Sequence, residues 1–246
     1  MRLLHLLVAP CALVVAAGSA AAQTPAAPAT PPVEFTADLG YVTTSGNSTV
    51  TTLTASDIFK FTNASWAYTQ TFAVVYGTVK DSVQTSKWRA GVRAERSFSD
   101  VIGAYALVNY DKDRFAGIEG RWEEGVGAAI KTIASPTDKL DVEIGISAIQ
   151  AHPTAGLPDN NFLSGRTRGT YRHSFSEKRY VQQVVEYLPN LQSTADWRMN
   201  SETALVAPVS SHIGLKVAYV ITFQHLPPAG FGDTDRLFST SLQISF

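Results

Sequence analysis

From Val33 to Phe246 apolar and polar side chains alternate with a period of two, the pattern of strands with two unlike faces. The last segment is the clearest case. Phe238, Thr240, Leu242, Ile244 and Phe246 share one face, and Leu237, Ser239, Ser241, Gln243 and Ser245 share the other. The segment before it sets Ile213, Leu215, Val217, Tyr219, Ile221 and Phe223 against Gly214, Lys216, Ala218, Thr222 and Gln224. Leu140, Val142, Ile144 and Ile146 alternate with Asp141, Glu143, Gly145 and Ser147 in the same way, and so do Trp88, Ala90, Val92 and Ala94 with Arg89, Gly91, Arg93 and Glu95.

Carried along the chain, the pattern predicts an all-β fold of twelve strands, near 33–44, 49–62, 65–80, 83–97, 102–111, 120–132, 138–150, 161–175, 179–188, 195–209, 212–225 and 234–246. The second, eighth, ninth and tenth alternate poorly. No amphipathic helix and no internal repeat emerges. If both termini lie at a lower end, the lower turns are short, at 63–64, 99–100, 135–137, 176–178 and 210–211. Most upper loops are longer, at 110–119, 151–160, 189–194 and 226–233, with short ones near 45–47 and 80–82. An even number of strands, with short turns below and long loops above, is the topology of outer-membrane barrels.

Alternation alone does not say which face points inward. The polar faces carry charges at mid-strand, at Arg93, Glu143, Arg168, Glu202 and Lys216. About eight strands make a barrel that side chains can fill, whereas twelve leave more space. Polar groups and water fill that volume more readily than these apolar faces do. The expected arrangement is therefore polar inside and apolar outside. Trp66, Tyr68, Trp88, Tyr110, Trp122, Tyr187, Trp197, Phe223 and Phe246 fall toward strand ends, where membrane barrels carry aromatic girdles.

The N-terminus reads as an export signal over residues 1–22. Met1 and Arg2 precede a largely apolar run from Leu3 to Ala17, and Ala20-Ala21-Ala22 offers the small-residue cleavage pattern before Gln23. Residues 23–32 contain only Gln, Thr, Pro and Ala, a tether too poor in apolar bulk to fold. Cleavage removes Cys11, the only cysteine, so no disulfide framework or cysteine zinc site is available. Twenty Lys and Arg against 21 Asp and Glu give a net charge of -1, which argues against a nucleic-acid partner.

Several segments carry a family resemblance. They are Ser45-Gly46-Asn47-Ser48, the run Tyr110-Asp111-Lys112-Asp113-Arg114-Phe115, and Arg121 followed by Gly125-Val126-Gly127. With the signal and the terminal Phe246, the chain resembles the salt-induced outer-membrane protein family, domain of unknown function 481, from about Val33 to Phe246. The resemblance implies an outer-membrane barrel in the cell envelope, with no assigned reaction. The ending Phe238, Leu242, Ile244, Phe246 likewise resembles the signal that outer-membrane proteins present to the barrel-assembly machinery. Membrane lipids and that machinery are the partners expected.

Asp111 and Asp113 suggest a calcium loop, but the template wants Gly and Glu where Ala116 and Trp122 stand. A solvated charged loop is expected there. His173 and Ser174, adjacent on a strand, point to opposite faces and make no catalytic pair, and Ser176 falls in a lower turn. His152, His212 and His225 lack serine and acid company. The expectation is a protein without enzymatic activity, cofactor or metal, an outer-membrane lipid hydrolase being the out-of-class alternative. Gly125 and Gly127 share a face with Tyr105, and a hairpin centred near 115–116 sets its ring opposite one of them. The functional lead is the inward charge. Arg166, Arg168 and Arg172 share one strand and Arg89 and Arg93 another, with Lys216 beyond. Asp38, Glu123, Asp141, Glu143 and Glu202 are the counter-charges. They form either a salt-bridged filling of the lumen or a charged constriction for small ions. The filling is the reading preferred.

Overall fold

The computed structural model describes residues 32–44, 50–80, 82–154 and 158–246. The export signal, all of the tether but Pro32, and the Ser45-Gly46-Asn47-Ser48 segment lie outside the described residues. Twelve antiparallel strands form a closed barrel. They are β1 (Val33–Thr44), β2 (Val50–Asn63), β3 (Trp66–Val79), β4 (Ser82–Ser97), β5 (Ile102–Asp113) and β6 (Ile118–Ala134). The second half holds β7 (Asp138–Pro153), β8 (Asn160–Ser176), β9 (Arg179–Pro189), β10 (Trp197–Pro208), β11 (Ile213–Gln224) and β12 (Thr234–Ser245). Each strand pairs with its neighbours in sequence, and β12 returns to β1.

The closing seam is short, running from Thr36↔Ser245 to Leu39↔Leu242, whereas β1 and β2 pair along their whole length. Phe35 and Phe246 add a reciprocal pair of backbone hydrogen bonds at 3.1 and 2.9 Å. Side chains brace the seam from within. Asp38 on β1 accepts from Lys216 on β11 at 2.9 Å, Gln243 on β12 at 2.9 Å and Ser56 on β2 at 3.1 Å. One carboxylate thus ties four successive strands. Asp38→Ala is expected to cost about 2 kcal/mol, as for other charge-assisted hydrogen bonds, and to lower the unfolding midpoint of the purified protein in urea.

Apolar side chains point outward. Leu39, Tyr41, Val92, Ile144, Phe238 and Leu242 are each more than half exposed, while Arg166 and Glu186 are buried inside. The interior is more mixed than alternation implies, since Leu107, Ile149, Leu188 and Val206 are buried among the polar groups. The poor alternation of β9 and β10 has a local cause. Gln183 bonds Ser201 and Thr203 of the next strand, and these three share the outer face with Val185 and Leu205.

The aromatics gather at both ends. Trp88, Tyr110 and Trp122 form a ladder across β4–β6 with centroids 5.0 and 4.7 Å apart. Tyr187, Trp197 and Phe223 form another across β9–β11. At the lower end Trp66, Tyr68 and Phe61 stack, and His212 stacks on Phe246.

The upper loops correct the sequence reading. β5 runs to Asp113 and β6 begins at Ile118, so the expected 110–119 loop shrinks to a one-turn 3-10 segment, Arg114–Ala116, closed by Gly117. Asp113 caps it, accepting from Ala116 N at 3.1 Å. Gly117 has φ 76° and lies against Phe231 of the 225–233 loop, which brings the two loops together over the barrel.

Candidate functional site

The charges inside form three groups, and β8 supplies the centre of the largest. Arg166 is 2% exposed. Its guanidinium donates to Glu143 at 2.6 Å, to Glu186 at 2.9 and 3.0 Å, and to the Tyr105 hydroxyl at 2.8 Å, and Glu123 lies at 3.7 Å. These partners come from β7, β9, β5 and β6, so one side chain on β8 gathers groups from four other strands. Arg93 on β4 extends the network, pairing with Glu143 at 3.0 Å and Glu95 at 2.7 Å. Ser147 and Asn109 donate to Glu123, and Asn200 to Glu186. Both oxygens of Glu123 and of Glu186 and one each of Glu143 and Glu95 are engaged, the kind of pairing that burial of several charges requires.

Tyr105 is held flat by the wall beside it. It stands opposite Gly127, which in turn stands opposite Gly145. A Cβ built at either glycine would come within 2.6 Å of the Tyr105 hydroxyl. The missing side chains therefore make the room in which the ring lies, and Arg93 covers its other side at 4.1 Å from the centroid. The expected pairing of Tyr105 with a glycine of the Gly125–Gly127 motif is found. Its consequence goes beyond wall curvature, because the glycines aim the hydroxyl at Arg166.

The second group sits under the upper rim. Asp111 accepts from Arg89 and from Arg121, both at 2.7 Å, and Asp113 pairs with Lys87 at 3.1 Å. Asp111 and Asp113 are 6% and 7% exposed, so the solvated loop expected of them is wrong. Both point inward from the end of β5, where Arg89, Arg121 and Lys87 repay the cost of burying them. The third group, toward the lower end, is Lys216 with Asp38 and with Glu202 at 3.4 Å. Arg172 lies over the Tyr180 ring at 3.5 Å.

The sequence reading therefore placed Arg89, Arg93, Glu123, Glu143, Arg166, Glu202 and Lys216 in ion pairs. Arg168, named beside Arg166 as an inward charge, makes no ion pair among the described residues. It stands between Glu143 and Glu186 in register, but Arg166 holds both carboxylates, and Arg168 Nε is buried without a hydrogen-bond partner. Asp141 makes no ion pair among the described residues. Glu186 and Arg198 were not singled out, and Arg121 was named only for the family resemblance, not as an inward charge. Their period-two spacing with Glu123, Leu188 and Asn200 carried the only signal for them.

Two cavities flank the central group. The upper is walled by β4–β6 and β10–β12 and reached by Pro227, Gly232 and Asp233 of the 225–233 loop. The lower is lined by Arg172, Tyr180 and the turn residues Ser210, Ser211 and His212. Arg166 borders neither.

Histidine chemistry is sparse. His173 Nδ1 lies 2.8 Å from Asp138, and Ser211 Oγ lies 2.9 Å from His212 Nδ1, a ring that pairs with no carboxylate among the described residues. Among the described residues no cluster of three or more His, Cys, Asp or Glu could hold a metal ion.

Comparison with known proteins adds three likenesses. The chain is 25% identical over 215 residues to the uncharacterized protein YdiY of Escherichia coli (strain K12), a match spanning 87% of this chain and 83% of YdiY. The NanC porin shares the fold at a TM-score of 0.50 and 10% identity, over 85% of this chain and 97% of that one. The translocator domain of the autotransporter NalP from Neisseria meningitidis follows at 0.47 and 12% identity, over 87% and 86%. The sequence profile of the family described as protein of unknown function, DUF481, matches residues 37–246, and the chain belongs to that family.

Proposed function

We propose that this is an exported outer-membrane barrel with both termini in the periplasm, acting without catalysis as an envelope component whose lumen is closed by its own charges. The observation that carries the reading is the burial of Arg166 among Glu143, Glu186 and Tyr105 from three other strands. Together with Arg93 on β4 and Asn200 on β10, these bonds link strands half the barrel's circumference apart, which supports a lumen narrowed by them. The outward apolar face and the two aromatic girdles support insertion in a bilayer. Asp57 and Glu124 interrupt that face, in register with Phe72 and Val108, and acids there cost less than Lys or Arg at equal depth. The salt-related role implied by the resemblance rests on that resemblance alone.

The two cavities favour a second reading, a narrow channel for ions or small solutes whose constriction is the central group. Proteoliposome swelling in arabinose separates the readings. A closed barrel gives no swelling above protein-free vesicles, and rapid swelling would sink the proposal. Location is checked by fractionation, in which recovery from the soluble periplasm would end the membrane reading.

Phe246 is proposed to end the signal read by the assembly machinery. It is 70% exposed on the outer face beside Ile244, whereas Ser245 borders the lower cavity. Phe246→Asp is expected to cut the amount of assembled, heat-modifiable barrel several-fold, with Ser245→Asp changing it little. Equal losses at the two positions would remove the argument.

A further inference from the structure

We propose that the upper cavity binds a small zwitterionic solute, with its carboxylate on Arg198 and its cationic nitrogen toward Asp233 and Asp235. The proposal starts from an unsatisfied group. Arg198 lines this cavity, is 7% exposed, and its Nη2 is buried with no hydrogen-bond partner among the described residues. A buried guanidinium left unbonded is costly, and an oxyanion presented to it in a fork geometry removes the cost. The acids in its field are already engaged. Asp111 is shared by Arg89 and Arg121, and Glu123 and Glu186 are held by the Arg166 group. Three guanidiniums therefore face one carboxylate at the floor of the cavity, an excess of positive charge that calls for an anion.

The mouth has the opposite sign. Lys87 is paired with Asp113, but among the described residues Asp235 makes no ion pair and the Asp233 carboxylate accepts only from the hydroxyl of its neighbour Thr234. A polyanion would meet these two carboxylates on the way in, and a simple cation would meet the arginines at the bottom. A molecule with a carboxylate at one end and an ammonium at the other complements both. Its length follows from the wall. Arg198 is in register with Gln224, whose backbone N–H bonds Asp233 O at 2.8 Å, so Arg198 and Asp233 lie two strand spacings apart, roughly 10 Å. Both residues line the one cavity, so a solute with a few methylenes between its charges is the size to try first.

The test titrates the full-length protein, folded in detergent as judged by its heat-dependent gel mobility, with 4-aminobutyrate, butyrate and succinate, and follows binding by saturation-transfer NMR. The wild type is expected to bind 4-aminobutyrate saturably and more tightly than either other compound. Arg198→Gln should weaken 4-aminobutyrate by at least about tenfold, the effect of losing a charge-assisted hydrogen bond. Asp235→Asn should weaken 4-aminobutyrate while strengthening succinate, a reversal that needs no change at Arg198 and remains readable if Arg198→Gln does not fold. Absence of saturable 4-aminobutyrate binding, succinate binding as tight in the wild type, an unaltered affinity in folded Arg198→Gln, or no reversal in Asp235→Asn would each overturn the proposal. None of these readouts depends on whether the lumen conducts.

Discussion

Arg166→Ala is expected to destabilise the barrel by about 3–5 kcal/mol, the cost of breaking a buried ion group by removing one partner. The physical reason is the charge left behind. Glu143 would keep Arg93, but Glu186 would lose its two contacts with Arg166 and retain only the Asn200 amide. Glu123 would keep only neutral donors from Ser147 and Asn109. The measurement is the urea midpoint of refolded protein, read by the fraction that still migrates as folded barrel without boiling. Arg172→Ala is the contrast. Its guanidinium lies on a tyrosine ring, an interaction of about 0.5–2 kcal/mol, and the variant should shift the midpoint far less. Equal shifts would mean that the central group is not what holds the interior together.

Gly127→Val should be nearly as damaging through packing alone. The new side chain enters the space of the Tyr105 ring and presses on Gly145 across the pair, whose Cα lies 2.8 Å from where a Cβ would stand. Overpacking of this kind costs about 1–3 kcal/mol, and displacing the Tyr105 hydroxyl from Arg166 adds a lost hydrogen bond to a charged group, about 1.5–3 kcal/mol. The specific check is the double variant Gly127→Val/Tyr105→Ala. Removing the ring relieves part of the clash, so the double should be less destabilised than the sum of the singles. Strict additivity would show that the glycine and the tyrosine do not act on one another.

These two residues also mark where the sequence was legible. Tyr105 could be placed over Gly127 because a short β5–β6 hairpin fixes the register, and register is local. All twelve strands and their polar-in orientation were legible for a like reason, since alternation is written in each segment separately. The choice of Arg166 over Arg168 was not. Both stand on the same face of β8, and what separates them is how close Tyr105 and Glu186, on β5 and β9, approach inside the closed barrel. Asp111 was assigned to a loop because nothing local announces that β5 and β6 continue to Asp113 and from Ile118. The ion pairs to Arg89 and Arg121 that explain its burial come from neighbouring strands. Arg198 had no local mark at all, being one arginine at the start of a weakly alternating strand.

The central claim is that the charges close the lumen, and recordings across planar bilayers test it most directly. Wild-type protein, inserted and folded, is expected to hold the membrane silent. The Arg166→Ala/Tyr105→Ala variant removes the side chain at the centre of the group and its hydroxyl partner, and should give conductance steps under the same conditions, which also establishes that insertion occurs. Steady, discrete conductance from the wild type, of a size the variant does not exceed, would contradict the account.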